Sequence, residues 1–332
     1  PPHITHDSKQ ERGKGVSTHP HVTPSQHLLK QGRSTRKQST TKPRAKTKQT
    51  ELTAARTAIQ QQQRAAAILS EQACSMADES PMQDEVQTAA RIIRRLLKRN
   101  PALQLRILCM LHGEGSDVVD LRMQPLRYSG ALALALALKH PVNTRILKLA
   151  QTYINDRGVL AIAHVLSTNT SVTVLDLSNN SISDAGAEHL ANALQANSTL
   201  KDLSLWRNSI GSAGARAIWT ALEHNSTLKR LSLQGNNLQD QGVADIARAL
   251  HSCSRLAHLN LSCCSIGAAG AQAIANAIGS APALRHLNLY GNSLTWKGAE
   301  ALAATLCRSS SITVLNLFST DLGVEGAKAM AP

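Results

Sequence analysis

A strict internal period of 28 residues runs through the second part of the chain. One column of this repeat is leucine in all eight units, and no insertion interrupts it. The position two residues earlier is always apolar, the position five residues later is always Leu or Ile, and the position nine residues later is always Gly. Self-similarity of this kind is typical of a solenoid, in which each unit packs on its neighbours. The leucine column contains Leu121, Leu149, Leu177, Leu205, Leu233, Leu261, Leu289 and Leu317.

Each unit combines a short strand with a helix. Leu203-Ser-Leu205 alternates as a strand with one buried face does, whereas residues 185–194 and 241–250 have helical apolar spacing. A strand that is followed by a helix and returns to a parallel strand makes a right-handed crossover. Because a helix is wider than a strand, stacking curves the array. The sequence therefore predicts an α/β horseshoe over residues 116–332, with a parallel sheet on the concave face and helices on the convex face.

A polar column recurs at the turn that follows each strand. Turn amides and carbonyls that are buried need hydrogen-bond partners, and an asparagine side chain offers both a donor and an acceptor. We therefore expect this column to link neighbouring turns as a structural ladder, with one cysteine among its members. Its members are Asn180, Asn208, Asn236, Cys264 and Asn292.

Two segments of the array resemble a known repeat class. Residues 172–194 read VTVLDLSNNSISDAGAEHLANAL, and residues 200–222 read LKDLSLWRNSIGSAGARAIWTAL. They resemble leucine-rich repeats of the ribonuclease-inhibitor-like class, which also occur in NOD-like receptors, in Ran GTPase-activating proteins and in scaffold proteins. The resemblance covers residues 116–332 and implies the fold. It implies a scaffold for recognition rather than one particular activity.

The part that precedes the array divides into three segments. Residues 1–58 carry twelve Lys or Arg against three Asp or Glu, which accounts for +9 of the chain's net charge of +14. Few apolar residues interrupt this arm, so we expect it to be disordered. Residues 59–83 are predicted to form a partly helical Gln/Ala linker. Residues 84–115 have amphipathic helical spacing and are expected to cap the solenoid; a basic membrane-surface or calmodulin-target helix is the alternative.

Signatures of catalysis, nucleotide binding and membrane insertion are missing from the sequence. GxxxxGK[ST], GxSxG, HExxH and CxxC do not occur, and no run of eighteen apolar residues is present. We therefore expect no enzymatic activity, no cofactor and no membrane span. A reducing cytoplasmic location follows as the default, with the nucleus as the alternative.

The placement of the few aromatic residues carries the main functional prediction. Of seven aromatic residues, Trp206, Tyr290 and Phe318 share one column, directly after the second leucine of the strand. Alternation places this column on the concave face, where exposed aromatic side chains are candidate binding hot spots. A mildly basic column lies four residues earlier in each unit. The predicted partner-binding residues are Trp206, Arg207, Arg230, His258, His286, Tyr290 and Phe318.

Several alternatives remain open from the sequence. His258 and His286 fall on adjacent strands, but a zinc site needs three or four converging ligands and no further ligand is evident, so no metal is expected. Residues 30–48 are basic enough to contact nucleic acid weakly and non-specifically. Regulation of a GTPase, as in Ran GTPase-activating proteins, is another possible role that the resemblance implies.

Two tryptophans and the end of the chain complete the predictions. Trp219, in a helix, and Trp296, which we place in a loop, are both expected to fill packing space. The last unit stops at a point equivalent to the middle of the preceding helix, without a polar capping repeat. A solenoid needs caps to cover its end. We therefore expect a fragment of a longer protein, or self-association through the uncapped C-terminal end.

Overall fold

The computed structural model describes most of the chain beyond residue 116. The predicted arm, linker and helical cap all precede that point and lie outside the described residues. The ranges described are residues 117–139, 143–279, 281–308 and 311–331.

Within the described ranges, eight three-residue strands form one parallel sheet, in which spatial order follows sequence order. Each strand pairs in register with the strand 28 residues further along, so that Leu203 lies opposite Leu231. The strands are β1 (Val118–Asp120), β2 (Ile146–Lys148), β3 (Val174–Asp176), β4 (Asp202–Ser204), β5 (Arg230–Ser232), β6 (His258–Asn260), β7 (His286–Asn288) and β8 (Val314–Asn316).

Helical segments follow the strands and form the second layer. The fold class predicted from the repeat is confirmed: strands and helices alternate in an open leucine-rich-repeat solenoid, with the parallel sheet on its concave face. The helices are α1 (Arg127–Leu138), α2 (Asp156–Leu166), α3 (Asp184–Ala196), α4 (Ser212–His224), α5 (Gln239–Val243), α6 (Ile246–Ser252), α7 (Ala268–Gly279), α8 (Thr295–Leu306) and α9 (Gly323–Met330).

The core runs between the two layers as stacked columns. Leu205 and Leu233 are fully buried, as are Ile210 and Ile218 on the helical side. The recurrent glycine allows neighbouring helices to approach closely: a Cβ atom at Gly214 would lie 2.7 Å from the Asp184 carboxylate. Each unit therefore buries its apolar face against the next unit, as a solenoid requires.

Asparagine side chains connect the turns that leave the strands. The Asn180 amide oxygen accepts the backbone N–H groups of Thr152 at 3.0 Å and Ile154 at 3.1 Å, while its amide nitrogen donates to the carbonyls of Leu149 at 2.7 Å and Leu177 at 3.1 Å. The same pattern recurs, in whole or in part, at Asn208, Asn236 and Asn292.

Cys264 occupies the equivalent place in the sixth unit. Its thiol is buried and donates to the Leu233 carbonyl at 3.2 Å. Burial raises the pKa of this thiol to about 12, so the proton is retained at neutral pH. A thiol supplies a weak donor in place of the amide of asparagine.

A second asparagine ladder, which sequence analysis did not identify, joins the segments that follow the helices. The Asn197 amide donates to the Leu166 carbonyl at 2.6 Å, and the Asn225 amide donates to the Leu194 carbonyl at 2.7 Å. Both asparagines are buried. The units that precede these asparagines are thus linked to their neighbours at both edges of the sheet.

The helical layer is broken in the fifth unit, between α5 and α6. The spacing of residues 241–250 predicts a continuous helix, but Ala244 and Asp245 lie outside both segments. The fully buried Trp219 indole N–H donates to the Gly242 carbonyl at 2.6 Å. That carbonyl would accept the N–H of Ile246 in an unbroken helix, so the indole takes the place of a helical hydrogen bond.

Trp296 differs from its prediction. It lies in the first turn of α8 instead of a loop, and it is 48% exposed, so it does not fill the core. The Lys297 ammonium lies 5.7 Å from the centre of its ring. An adjacent cation and solvent exposure are features of a surface tryptophan.

Candidate partner-binding surface on the concave face

Three columns of side chains point towards the concave face, because residues two apart on a strand share one side of the sheet. The first concave column is Val118, Ile146, Val174, Asp202, Arg230, His258, His286 and Val314. The second concave column is Asp120, Lys148, Asp176, Ser204, Ser232, Asn260, Asn288 and Asn316. The third concave column, which follows the strand, is Arg122, Ala150, Ser178, Trp206, Gln234, Ser262, Tyr290 and Phe318.

A groove of about 600 Å³ crosses the concave face from β2 to β8. Side chains of the first and second concave columns line it, and those of the third column do not. The aromatic residues therefore lie along the edge of the groove at which the strands end. This arrangement separates a floor of mixed polar and apolar residues from an aromatic edge.

Tyr290 and Phe318 form a stacked pair on this edge. Their ring centres are 5.8 Å apart and the ring planes differ by 4°. Phe318 is 71% exposed and Tyr290 is 37% exposed. Aromatic rings of this size, stacked and open to solvent, offer apolar area to a partner with little ordering cost.

Two asparagines of the second concave column hold these aromatic residues in place. The Asn288 amide oxygen accepts the backbone N–H of Tyr290 at 3.0 Å, and Asn316 does the same for Phe318 at 3.0 Å. Sequence analysis missed both asparagines. The signal was present as Asn-Leu-Tyr and Asn-Leu-Phe at the same place in successive units.

Trp206 lies apart from this pair, because Gln234 and Ser262 occupy the column between them. The Arg207 guanidinium lies 5.8 Å from the centre of the Trp206 ring. Arg207 occupies a turn position with a positive φ in all eight units, between 51° and 70°. Gly235 holds this position in the next unit, and a Cβ atom there would lie 3.1 Å from Arg207 Cγ. The missing side chain leaves room for the Trp206–Arg207 pair.

The charged residues of the first concave column are arranged as two pairs. Arg230 forms an ion pair with Asp202 on the neighbouring strand. The His258 and His286 rings stack with centres 4.2 Å apart. Partial burial, together with the nearby His286 and Arg230, lowers the pKa of His258 below its ordinary value of 6.5. A neutral His258 is therefore favoured near pH 7.

In the first and third units, polar side chains on the concave face form hydrogen bonds with one another. Arg122 donates from Nε to Asp120 at 3.0 Å and from Nη2 at 2.7 Å, which lowers the pKa of Asp120 to about 2. In the third unit, the Ser178 hydroxyl donates to the Asp176 carboxylate at 2.5 Å. These polar groups satisfy one another, whereas Trp206, Tyr290 and Phe318 in the later units keep 39%, 37% and 71% of their surface exposed.

The predicted binding residues thus fall into four local groups rather than one. Tyr290 meets Phe318, and His258 meets His286. Trp206 meets Arg207, while Arg230 meets Asp202, which the prediction had not included. The groups lie on one face in the order of the strands.

The described part of the chain shows neither a metal site nor a membrane-spanning helix. Three or more His, Cys, Asp or Glu side chains do not converge there on a place that could hold a metal ion. Over the same residues, none of the helices is both long enough and apolar enough to cross a membrane.

Two family models match different parts of the array. One, described as the TMOD/LMOD leucine-rich domain, matches residues 123–237. The other, described as a leucine-rich repeat, matches residues 252–275, 281–303 and 308–331. Leucine-rich repeats are therefore recognised in both halves of the array.

Comparisons with individual proteins gave structural matches alone. No match is found among curated protein sequences. A solved structure titled Leiomodin-1 Actin-Binding Site 2 (ABS2) is 22% identical, with a TM-score of 0.39, over 45% of this chain and 89% of that chain. The tropomodulin C-terminal domain of Caenorhabditis elegans is 17% identical, with a TM-score of 0.39, over 45% of this chain and 92% of that chain.

Proposed function

We propose that this leucine-rich-repeat protein is a binding module whose concave face recognises a protein partner. The observation that carries the proposal is the stacked Tyr290–Phe318 pair, exposed beside a groove of about 600 Å³. Large exposed aromatic residues are uncommon on surfaces that bind nothing, and they are enriched at the centres of protein interfaces. Repeat folds work mainly by surface recognition, which agrees with a role that is not catalytic.

The chemistry of the face favours a protein over a small molecule. The groove is open along seven strands, and its floor mixes an ion pair, two imidazoles and several amides. Small-molecule sites usually enclose most of the ligand surface. A long, open face with aromatic residues at intervals fits a partner that contacts several units at once.

Affinity capture from a cell extract tests this proposal. The full chain is compared with the variant Trp206→Ala/Tyr290→Ala/Phe318→Ala, which removes the aromatic edge. The control variant Tyr153→Ala/Leu160→Ala/Trp296→Ala removes three exposed apolar side chains outside the concave columns. Circular dichroism establishes that all three proteins are folded.

We expect specific partners to be lost with the concave variant and retained with the control. Loss of about 2 kcal/mol or more of binding free energy is typical of a hot-spot cluster. If the folded concave variant captures the same partners as the unaltered chain, the proposal is wrong. A fourth protein, lacking residues 1–58, then shows whether the basic arm is the binding element.

Actin is a defined ligand to include in this comparison, because the leiomodin-1 structure names an actin-binding site in its title. Binding of actin that depends on the aromatic edge would identify a partner for the concave face. The resemblance to NOD-like receptors stays a prediction, since the family model over residues 123–237 describes a different group of leucine-rich-repeat proteins.

A further inference from the structure

A second groove lies at the opposite edge of the sheet, where the strands begin. Its volume is about 520 Å³. All of its lining residues are polar or charged: five are Ser or Thr, one is Asn143, Arg145 and Lys201 are basic, and Asp117 is acidic. This composition contrasts with the aromatic edge on the other side of the sheet.

The basic residues of this groove belong to a longer row. The residue directly before each strand forms what we call the strand-entry row, and it is basic at Arg145, Lys201, Lys229 and Arg285. All four residues are exposed. The row is in register, because the Lys229 N–H donates to the Lys201 carbonyl at 2.7 Å, and equivalent bonds recur in the other units.

The positive charges of this row are not compensated locally. Within the described ranges, none of the four basic residues forms an ion pair of 4.0 Å or less. Asp202 follows Lys201 directly, but its carboxylate is engaged by Arg230. Asp117, at one end, is the single acidic member of the row among the described residues.

We propose that the strand-entry row and its groove bind an acidic peptide segment in extended conformation. From β2 to β7 the row crosses five strand spacings, or roughly 24 Å at about 4.8 Å each. An extended peptide of about seven residues covers this length. Its carboxylates would meet the four cations, and the Thr170 and Ser198 hydroxyls of the groove would donate to carboxylate or carbonyl oxygens. The other three hydroxyls of the groove already donate within the chain and would act as acceptors for peptide N–H groups.

Nucleic acid fits this surface less well. Proteins that bind single strands combine a basic groove with aromatic side chains on which bases stack. The described part of the strand-entry row and the lining of its groove contain no aromatic residue. The proposal is independent of the concave aromatic edge, so either surface could bind its ligand without the other.

Fluorescence anisotropy with a labelled peptide of eight glutamates tests the proposal on the full chain at an ionic strength of about 0.15 M, where charges more than about 8 Å apart are largely screened. The variant Arg145→Glu/Lys201→Glu/Lys229→Glu is expected to weaken binding by about tenfold or more, because repulsion replaces attraction along the row. The control Arg157→Glu/Lys297→Glu/Arg308→Glu changes net charge equally, at residues in or directly after helices. We expect its affinity to stay within about twofold of the unaltered chain. The basic arm is identical in all three proteins.

Several outcomes would overturn the proposal. Equal weakening by the two charge-reversed variants would show that net charge alone attracts the peptide. Binding that survives reversal of the row but is lost on Arg44→Gln/Lys46→Gln/Lys48→Gln would assign it to the arm. Row-dependent binding of an oligo-dT strand, without binding of the glutamate peptide, would assign nucleic acid instead.

Two further variants test whether weaker peptide binding reflects loss of folding, and whether the strand-entry row and the aromatic edge bind independently. Arg145→Gln/Lys201→Gln/Lys229→Gln removes charge without adding repulsion, and it is expected to weaken peptide binding less than the reversal does. Trp206→Ala/Tyr290→Ala/Phe318→Ala is expected to leave peptide binding unchanged. Peptide binding lost with this aromatic variant, but retained when the row is reversed, would contradict the proposal.

Discussion

The asparagine ladder and the third concave column repeat with the same period but differ in how they vary. The ladder keeps an amide at Asn180, Asn208, Asn236 and Asn292, all engaged with neighbouring turns. The third concave column changes from arginine to serine to tryptophan within a few units. Buried backbone groups require a hydrogen-bonding side chain at each ladder position, whereas solvent imposes no such requirement on the exposed members of the third concave column. Positions that vary within a regular repeat are therefore those available for recognition.

The largest expected effect is the loss of one ladder amide. Asn180→Ala removes the acceptor for two buried N–H groups and the donor for two carbonyls. Each unsatisfied buried group costs about 1 to 3 kcal/mol, so with four groups affected we expect the free energy of unfolding to fall by about 4 kcal/mol or more. Urea unfolding followed by circular dichroism measures the change.

Two matched substitutions complete this comparison. Asn179→Gly alters the exposed neighbour, which already has a positive φ of 56°, and Trp206→Ala alters the concave face. We expect each to change the free energy of unfolding by no more than about 1 kcal/mol. A concave substitution as damaging as Asn180→Ala would contradict the division between buried and variable columns.

A smaller effect of the opposite sign is expected at the irregular position of the ladder. Cys264→Asn would supply an amide oxygen to the turn at Asn236 and a second donor hydrogen to the previous unit. We expect the free energy of unfolding to rise by about 1 kcal/mol. The control Cys264→Ala, which removes the thiol donor to Leu233, should lower it. Destabilisation by Cys264→Asn would show that the turn packs specifically around sulfur.

The smallest effect concerns pH and the first concave column. The pKa of His258 is below 6.5 in the folded protein, so the unfolded chain binds more protons once the pH falls below about 6.5. Stability therefore decreases as the pH is lowered through this range. His258→Gln should reduce that decrease, whereas His251→Gln, at an exposed site in α6, serves as the control. Urea unfolding at neutral and acidic pH measures the free energy of unfolding. If that free energy falls with pH as steeply in His258→Gln as in the unaltered chain, this prediction is wrong.

The fold could be predicted because the same pattern of apolar residues recurs in all eight units. A leucine column two residues from another apolar column predicts the strand, and the helical apolar spacing of the segment that follows predicts the helix. The break between α5 and α6 could not be predicted, because it depends on one indole N–H reaching the Gly242 carbonyl of another unit. The sequence shows that Trp219 stands where most other units have alanine, but it does not show which group the indole N–H reaches.

The candidate surfaces were predictable only in part. Alternation placed the aromatic column on the concave face, and the spacing of 28 residues placed Tyr290 beside Phe318. The pairing of Arg230 with Asp202 and the stacking of His258 on His286 depend on side-chain conformations that the period does not determine. The strand-entry row was not predicted, because Asp117, Thr173, Ala257 and Thr313 interrupt its basic residues and strand alternation does not assign a face to the residue before a strand.

The ladder that follows the helices has a consequence for covalent modification. Asn197-Ser-Thr and Asn225-Ser-Thr both match the acceptor tripeptide for N-linked sugars. The amide nitrogen that would receive the sugar donates instead to a carbonyl of the preceding unit, and Asn225 is 3% exposed. A glycan on that nitrogen would have no route to solvent between stacked units. Each of these asparagines can join two units or carry a sugar, but not both. In this fold both asparagines join units.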